Sequence, residues 1–402
     1  MDQNTTSAVS QPGVEQNCED SLPILQEIWS QSGINYDLDP DGDVLFKITC
    51  SNECLPAQLK DLEPDLLSGL LTESEESDVD APQSPASEPL VGQPRADSKP
   101  VTEEEHQQLL RIRASSRHLI LSSTYFSRMW TGKFREAAEL KKGHLLIDTI
   151  EIWDVVPFLI VLLAIHGRLR KLPRKVSLRR FTDIVTQIEY YDCHEVIEVF
   201  SELWLAHLEQ TALPETYGED ALSWLFISWV FKRKKTFEQI TRVIIQTSTQ
   251  EIDADGLPIP GFIIEAMNEK RNTLIEQRLD GLHDLFNRLS TGTYMCKQYL
   301  FNWNATSCTH LVLGALTTNL IAMRVFFPKP QQPYDGLSIC NIDKHCREKM
   351  KASTHQLGQI DLTSSCSLYQ RVIVALKSIK EPDFLNPVYF GFEAEDNKDT
   401  AQ

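Results

Sequence analysis

The sequence predicts an α+β fold that is mostly α: a small sheet with packed helices, broken by a disordered acidic insert, then an all-α bundle. Three observations predict it. GDVLFKI at Gly42 to Ile48 has the β-branched, alternating character of a strand. The stretch RIRASSRHLILSSTYFSRMWTGKF at Arg111 to Phe134 reads as a strand running into a helical hairpin, in which Leu119, Ser123 and Phe126 supply an apolar anchor, a capping hydroxyl and an aromatic. From Ala212 onward the apolar residues recur only at helical spacing. At 402 residues, with 42% apolar and 24% charged residues, the chain can bury a large core in two or three domains.

Taken in order, residues 1 to 19 are polar and predicted disordered, without the apolar core of a secretory signal. SLPILQEIWSQSG then predicts a short amphipathic helix: Leu22, Leu25, Ile28 and Trp29 share a face, Pro23 sits in the first turn and Gly33 stops it. Asp37, Asp39, Asp41 and Gly42 imitate the start of an EF-hand loop, but its twelfth position is Ile48 rather than a bidentate Glu. A turn feeding a strand at Val44 to Thr49 fits better, with Val44, Phe46 and Ile48 on one face.

Glu53 to Glu105 carries fourteen acidic residues against three basic ones, with five prolines from Pro82 onward. High net charge with low hydrophobicity cannot offset the entropy of ordering, which predicts a disordered insert within the first domain. The leucines between Leu55 and Leu71 are readable as a transient helix. Ser74 and Ser77, before acidic residues, and Ser84, before Pro85, suit acid-directed or proline-directed kinases.

Order is expected again from His106. LLRIRA should pair with GDVLFKI, because loop length costs only logarithmically. RHLILSS and STYFSRMW read as short helices, GHLLIDTI as a third strand, Trp153 to His166 as a buried helix, and SLRRFTDIVTQIEYYDC and HEVIEVFSELWLAHLEQ as amphipathic helices ending near Thr211. The run Trp153 to Ile165 is about 13 residues, short of the roughly 20 that a membrane helix needs.

This layout, carried by DPDGDVLFKI, ASSRHLILSSTYFSRMW, LLIDTIEIWDVVPFLIVLLAIHG and FTDIVTQIEYYDC, resembles the BTB/POZ domain over Gly42 to about Glu209, in the variant with a helical extension found in filamentous fungi. The resemblance implies a non-enzymatic protein–protein interaction module acting through dimerisation or partner recruitment. A homodimer or a cullin-type ubiquitin ligase scaffold are the partners it implies. The residues it places at such an interface are Trp29, on a helix positioned like the swapped helix of long-form dimers, together with Asp43, Ser115 and Arg117, around the family's charged groove. Where many members carry histidine and a basic residue, this chain has Ser115 and Ser116; where they carry an aromatic, threonine and glycine, it has His166 and Gly167.

The predicted helical domain spans 212 to 392: two helices around the basic run Lys232 to Lys235, a long one from Ile263 to Leu289, then Thr309 to Phe326, Ile342 to Met350 and Leu368 to Ile379, with a frayed tail at 393 to 402.

The formal charge of −18 argues against a generally nucleic-acid-binding or membrane-binding surface. Lys232 to Lys235 and the basic residues from Arg168 to Arg180 support a second reading, a nuclear transcription or chromatin regulator, although no DNA-reading motif accompanies them. Nine scattered cysteines point to reduced thiols and hence to the cytosol or nucleus. Cys296, Cys308, His310, Cys340, His345, Cys346, His355 and Cys366 lack the paired spacing of a zinc site. No phosphate-binding glycine loop or nucleophile elbow is present, so the expectation is no catalytic residue, no metal and no cofactor.

Overall fold

The computed structural model describes residues 33–50, 55–70, 108–151, 154–293, 302–355, 368–377, 385 and 387–392. The chain forms two compact units, Met1–Thr211 and Ala212–Gln402. The expected helix at Leu22 to Trp29 lies outside the described residues, as do the insert from 71 to 107 and the tail after 392.

The first unit is built on a four-stranded mixed sheet, β1 (Ile34–Asp37), β2 (Val44–Cys50), β3 (Gln108–Ala114) and β4 (Leu145–Glu151), in the order β1-β3-β2-β4. β2 and β3 are antiparallel, in register from Val44 opposite Ala114 to Cys50 opposite Gln108. They therefore pair across the long insert, because closing a loop of that length adds little once a full ladder has formed. β4 lies parallel to β2, with an irregularity between Phe46 and Ile48, and β1 lies parallel to β3. The expectation for β2 of one apolar face needs extending: Leu45 is 2% exposed, so both faces of this central strand are covered.

The sequence reading passed over β1. It also assigned all of Glu53 to Glu105 to disorder, and the structure corrects this for 55–70. Two 3₁₀ turns, Leu59–Asp61 and Pro64–Leu67, bury Leu55, Leu62 and Leu67. Tyr36 Oη donates to the Pro56 carbonyl at 2.8 Å, Lys171 Nζ donates to the carbonyls of Lys60 and Leu62 at 2.8 and 2.9 Å, and Ser177 N donates to Ser68 O at 3.0 Å. Three buried leucines and these hydrogen bonds offset the entropy that the average composition of the insert could not.

Six helices follow the hairpin: α1 (Ser116–Ser122), α2 (Thr124–Thr131), α3 (Arg135–Leu140), α4 (Val156–Ile165), α5 (Leu178–Tyr191) and α6 (His194–Leu208). The sequence reading missed α3. All ten residues of α4 are buried, as a helix apolar on every side requires, and Pro157 is tolerated in its first turn. Ser123 caps α2 by accepting from Phe126 N at 3.1 Å, and Ser177 caps α5 by accepting from Arg180 N at 3.2 Å. Aromatic contacts join the layers. The Phe46 ring on β2 meets Phe158 of α4 edge-on at 5.5 Å, and Phe126 of α2 stacks on Tyr191 of α5 at 5.0 Å.

The second unit is helical: α7 (Glu219–Val230), α8 (Lys234–Thr247), α9 (Gly261–Ser290), α10 (Asn302–Ala322), α11 (Ile339–His355) and α12 (Leu368–Lys377), with a 3₁₀ turn at Pro387–Phe390. Lys232, at φ 54, reverses the chain between α7 and α8. Along the 30 residues of α9, Ile263, Met267, Leu274, Leu282 and Leu289 keep one buried stripe. Arg271 sits on that stripe with 0% exposure.

Candidate functional site

The three predicted interface residues that the structure describes meet at one corner of the first unit. A turn from Asp39 delivers Asp43: Asp41 N donates to Asp39 Oδ1 at 3.1 Å and Gly42 N to Asp39 O at 3.0 Å. Only glycine fits at 42, since a Cβ there would lie 2.5 Å from the Ala114 carbonyl oxygen. Asp43 then reaches the start of α1, where Oδ1 accepts from Ser116 N at 2.7 Å and Oδ2 from Ser116 Oγ at 2.6 Å. A carboxylate at a helix N-terminus satisfies an orphan donor and opposes the positive end of the dipole. Ser115 occupies the N-cap position, but its own hydroxyl makes no cap. Its backbone N–H donates to His166 Nε2 at 2.9 Å.

His166 ends α4, and its two nitrogens have different roles. Nε2 accepts from a backbone N–H, so Nδ1 carries the proton and donates to Leu162 O at 2.8 Å. Burial holds its pKa below the ordinary value, with the neighbouring His118 and Arg168 acting in the same direction and the Leu162 bond and Asp39 opposing. The His118 ring lies 5.2 Å away. Both oxygens of Asp43 and Nε2 of His166 thus hold β2, α1 and α4 together, while Nδ1 bonds within the end of α4. Arg117 is exposed and makes no ion pair among the described residues, while the Asp43 carboxylate is taken up by Ser116 within the chain. Trp29 lies outside the described residues.

A second corner joins α1 and α2 to α5 and α6. Ser123 Oγ donates to Tyr191 O at 2.6 Å, and Thr124 Oγ1 donates to Asp192, which ends α5 in the left-handed region at φ 48. His194 Nε2 bonds Glu189 Oε1 at 2.7 Å, and that carboxylate raises its pKa. Cys193, 2% exposed, has its thiol pushed up to about 12 by burial.

Several of the basic residues noted in the sequence make contacts within the fold. Arg168 donates twice to Leu38 O at 3.1 and 2.6 Å, Arg180 pairs with Asp154, and the Arg174 guanidinium lies 5.6 Å over the Phe200 ring. Lys232 Nζ lies 4.8 Å over Trp229 and 5.4 Å over Phe392. Among the described residues no group of His, Cys, Asp or Glu is placed to hold a metal ion, and no helix is long and apolar enough to cross a membrane. Of the thiol and imidazole set, Cys308 and Cys346 are buried, His345 Nε2 bonds Asn319 Oδ1 at 3.1 Å, and Cys296 and Cys366 lie outside the described residues.

Compared with known proteins, the chain matches no family model, no curated protein and no solved structure.

Proposed function

We propose that the first unit is a non-enzymatic protein–protein association module of the BTB/POZ type, acting by self-association or by recruiting a partner. The observation that supports it most is the outer side of α1. Asp43 and His166 lock the start of this helix from within, while Arg117, His118 and Leu121 face solvent, Leu121 at 86% exposure. A large aliphatic side chain held outward on a braced helix suits contact with another chain. The strand arrangement is compatible with the same reading, since β2 and β3 form an antiparallel pair with β4 parallel to β2. The helical second unit would supply a further surface.

Sedimentation velocity of the full chain over a wide concentration range, with affinity capture from native cells, tests this. The expected result is a reversible dimer or a stoichiometric partner, a cullin scaffold among the candidates, weakened by Leu121→Glu. A monomer at every concentration without a stoichiometric partner overturns it.

A further inference from the structure

The outer face of α6 carries more unbalanced charge than a solvated helix needs. From His194 to Glu209 the chain has four carboxylates and no lysine or arginine. Within α6, Glu195, Glu198 and Glu202 are exposed at spacings of three and four, which sets like charges beside one another and destabilises the helix. None of the three has an ion-pair partner among the described residues.

Beside these carboxylates runs an apolar stripe. Val199 is 78% exposed and Leu203 42% exposed, four residues apart, while Ile197, Phe200 and Trp204 pack inward. At the N-terminal end of α6 lies a pocket of about 540 Å³, with Ile120, Leu121, Arg128, Asp192, His194 and Glu195 in its lining. Leu121 in its lining is 86% exposed, and its basic residues are Arg128 and His194. The 15 residues of α6 span about 22 Å at 1.5 Å each, enough to seat a partner helix of similar length.

We infer that this face docks a basic amphipathic helix of a partner protein, whose aliphatic stripe packs on Val199 and Leu203 while its lysines or arginines meet Glu195, Glu198 and Glu202. The charge selects the partner. A second copy of the same face would set carboxylates against carboxylates, and an acidic helix would be repelled in the same way. The assignment rests on the reading of the first unit as an association module and names the partner chemistry of one of its faces.

Fluorescence anisotropy tests it with the full chain and labelled helical peptides of about 14 residues, one built from leucine and lysine and one from leucine and glutamate. The leucine–lysine peptide is expected to bind with an affinity that falls as salt rises, and the leucine–glutamate peptide is not. Val199→Ser with Leu203→Ser should weaken binding by about tenfold or more, and the triple Glu195→Gln, Glu198→Gln, Glu202→Gln variant should weaken it and flatten the salt dependence. All five side chains are exposed, so a circular-dichroism melt should show neither variant less stable than wild type. Unchanged affinity in both variants would mean that the peptide adheres elsewhere on an acidic chain, and overturns the assignment; so does failure of the wild type to bind. Sedimentation of the Val199→Ser, Leu203→Ser variant separates the two readings, because self-association through α1 should survive it.

Discussion

Asp43 and Ser116 stand 73 positions apart in the chain, yet the carboxylate of one holds both the backbone N–H and the hydroxyl of the other, at 2.7 and 2.6 Å. This links the first residue before β2 to the first turn of α1 and sets the pose of the helix that carries Leu121. Charge-assisted bonds of this kind are among the stronger ones in proteins. Asp43→Ala should destabilise the chain by about 1–3 kcal/mol in urea unfolding, since it leaves a half-buried donor unsatisfied. Asp43→Asn keeps an acceptor and should lose less. Amide exchange in α1 should accelerate in both.

His166 gives the first unit one arm of its pH dependence. Its folded pKa lies below the ordinary histidine value of 6.5, with burial as the main cause. The unfolded chain therefore binds the proton more readily, so the stability that His166 contributes is complete above about pH 6.5 and is lost as pH falls through the folded value. Protonation also removes the acceptor that Ser115 N uses. His166→Gln should flatten this arm of a plot of unfolding free energy against pH, and imidazole resonances should place the His166 titration below that of an unfolded reference peptide.

His194 works in the opposite direction. The hydrogen bond that His194 donates to Glu189 is the main cause of its raised pKa, with the charges of Glu189 and Asp192 adding to it and burial opposing. Its contribution is complete below the ordinary value of 6.5 and is lost as pH rises through the folded value. Glu189→Gln should bring the His194 titration back toward the ordinary value in NMR and remove this high-pH decline, leaving the His166 arm in place.

In the second unit Arg271 is the centre of a buried polar cluster. Its guanidinium donates to the carbonyls of Ser248, Pro333, Tyr334 and Leu337, at 3.3, 2.7, 3.3 and 2.9 Å, and to Asn272 Oδ1 at 3.2 Å. Arg271→Leu would remove a donor from each of those oxygens and leave the Ser248 carbonyl beside an apolar side chain, and should cost about 3 kcal/mol. Arg271→Lys, with one ammonium in place of a five-donor fork, should recover only part of it. Denaturation midpoints and faster exchange at Tyr334 and Leu337 report the loss.

Much of the architecture was legible because its signals are local. β2 announces itself by β-branched residues, and α5, α6 and α9 by apolar residues recurring every three or four positions, a spacing that any segment carries with it. The buried helix α4 was readable from its unbroken apolar run, with its start displaced from Trp153 to Val156, one residue before Pro157. Asp43, Ser115 and Arg117 were singled out through a family likeness, and their actual bonding was not readable from it.

The sequence by itself determined the small sheet, the helix-rich remainder and the pairing of two strands across an acidic insert, because periodicity and charge density act over a few residues at a time. Only the tertiary structure decided that Ile34–Asp37 is a strand, that Leu55 to Leu70 folds, that Asp43 caps Ser116 while His166 accepts from Ser115, and that Arg271 gathers a loop some 60 residues away. In each of these the stabilising partner is distant in the chain, so the residues concerned carry no local pattern; their conformations are set by which donors, acceptors and apolar surfaces the fold brings beside them.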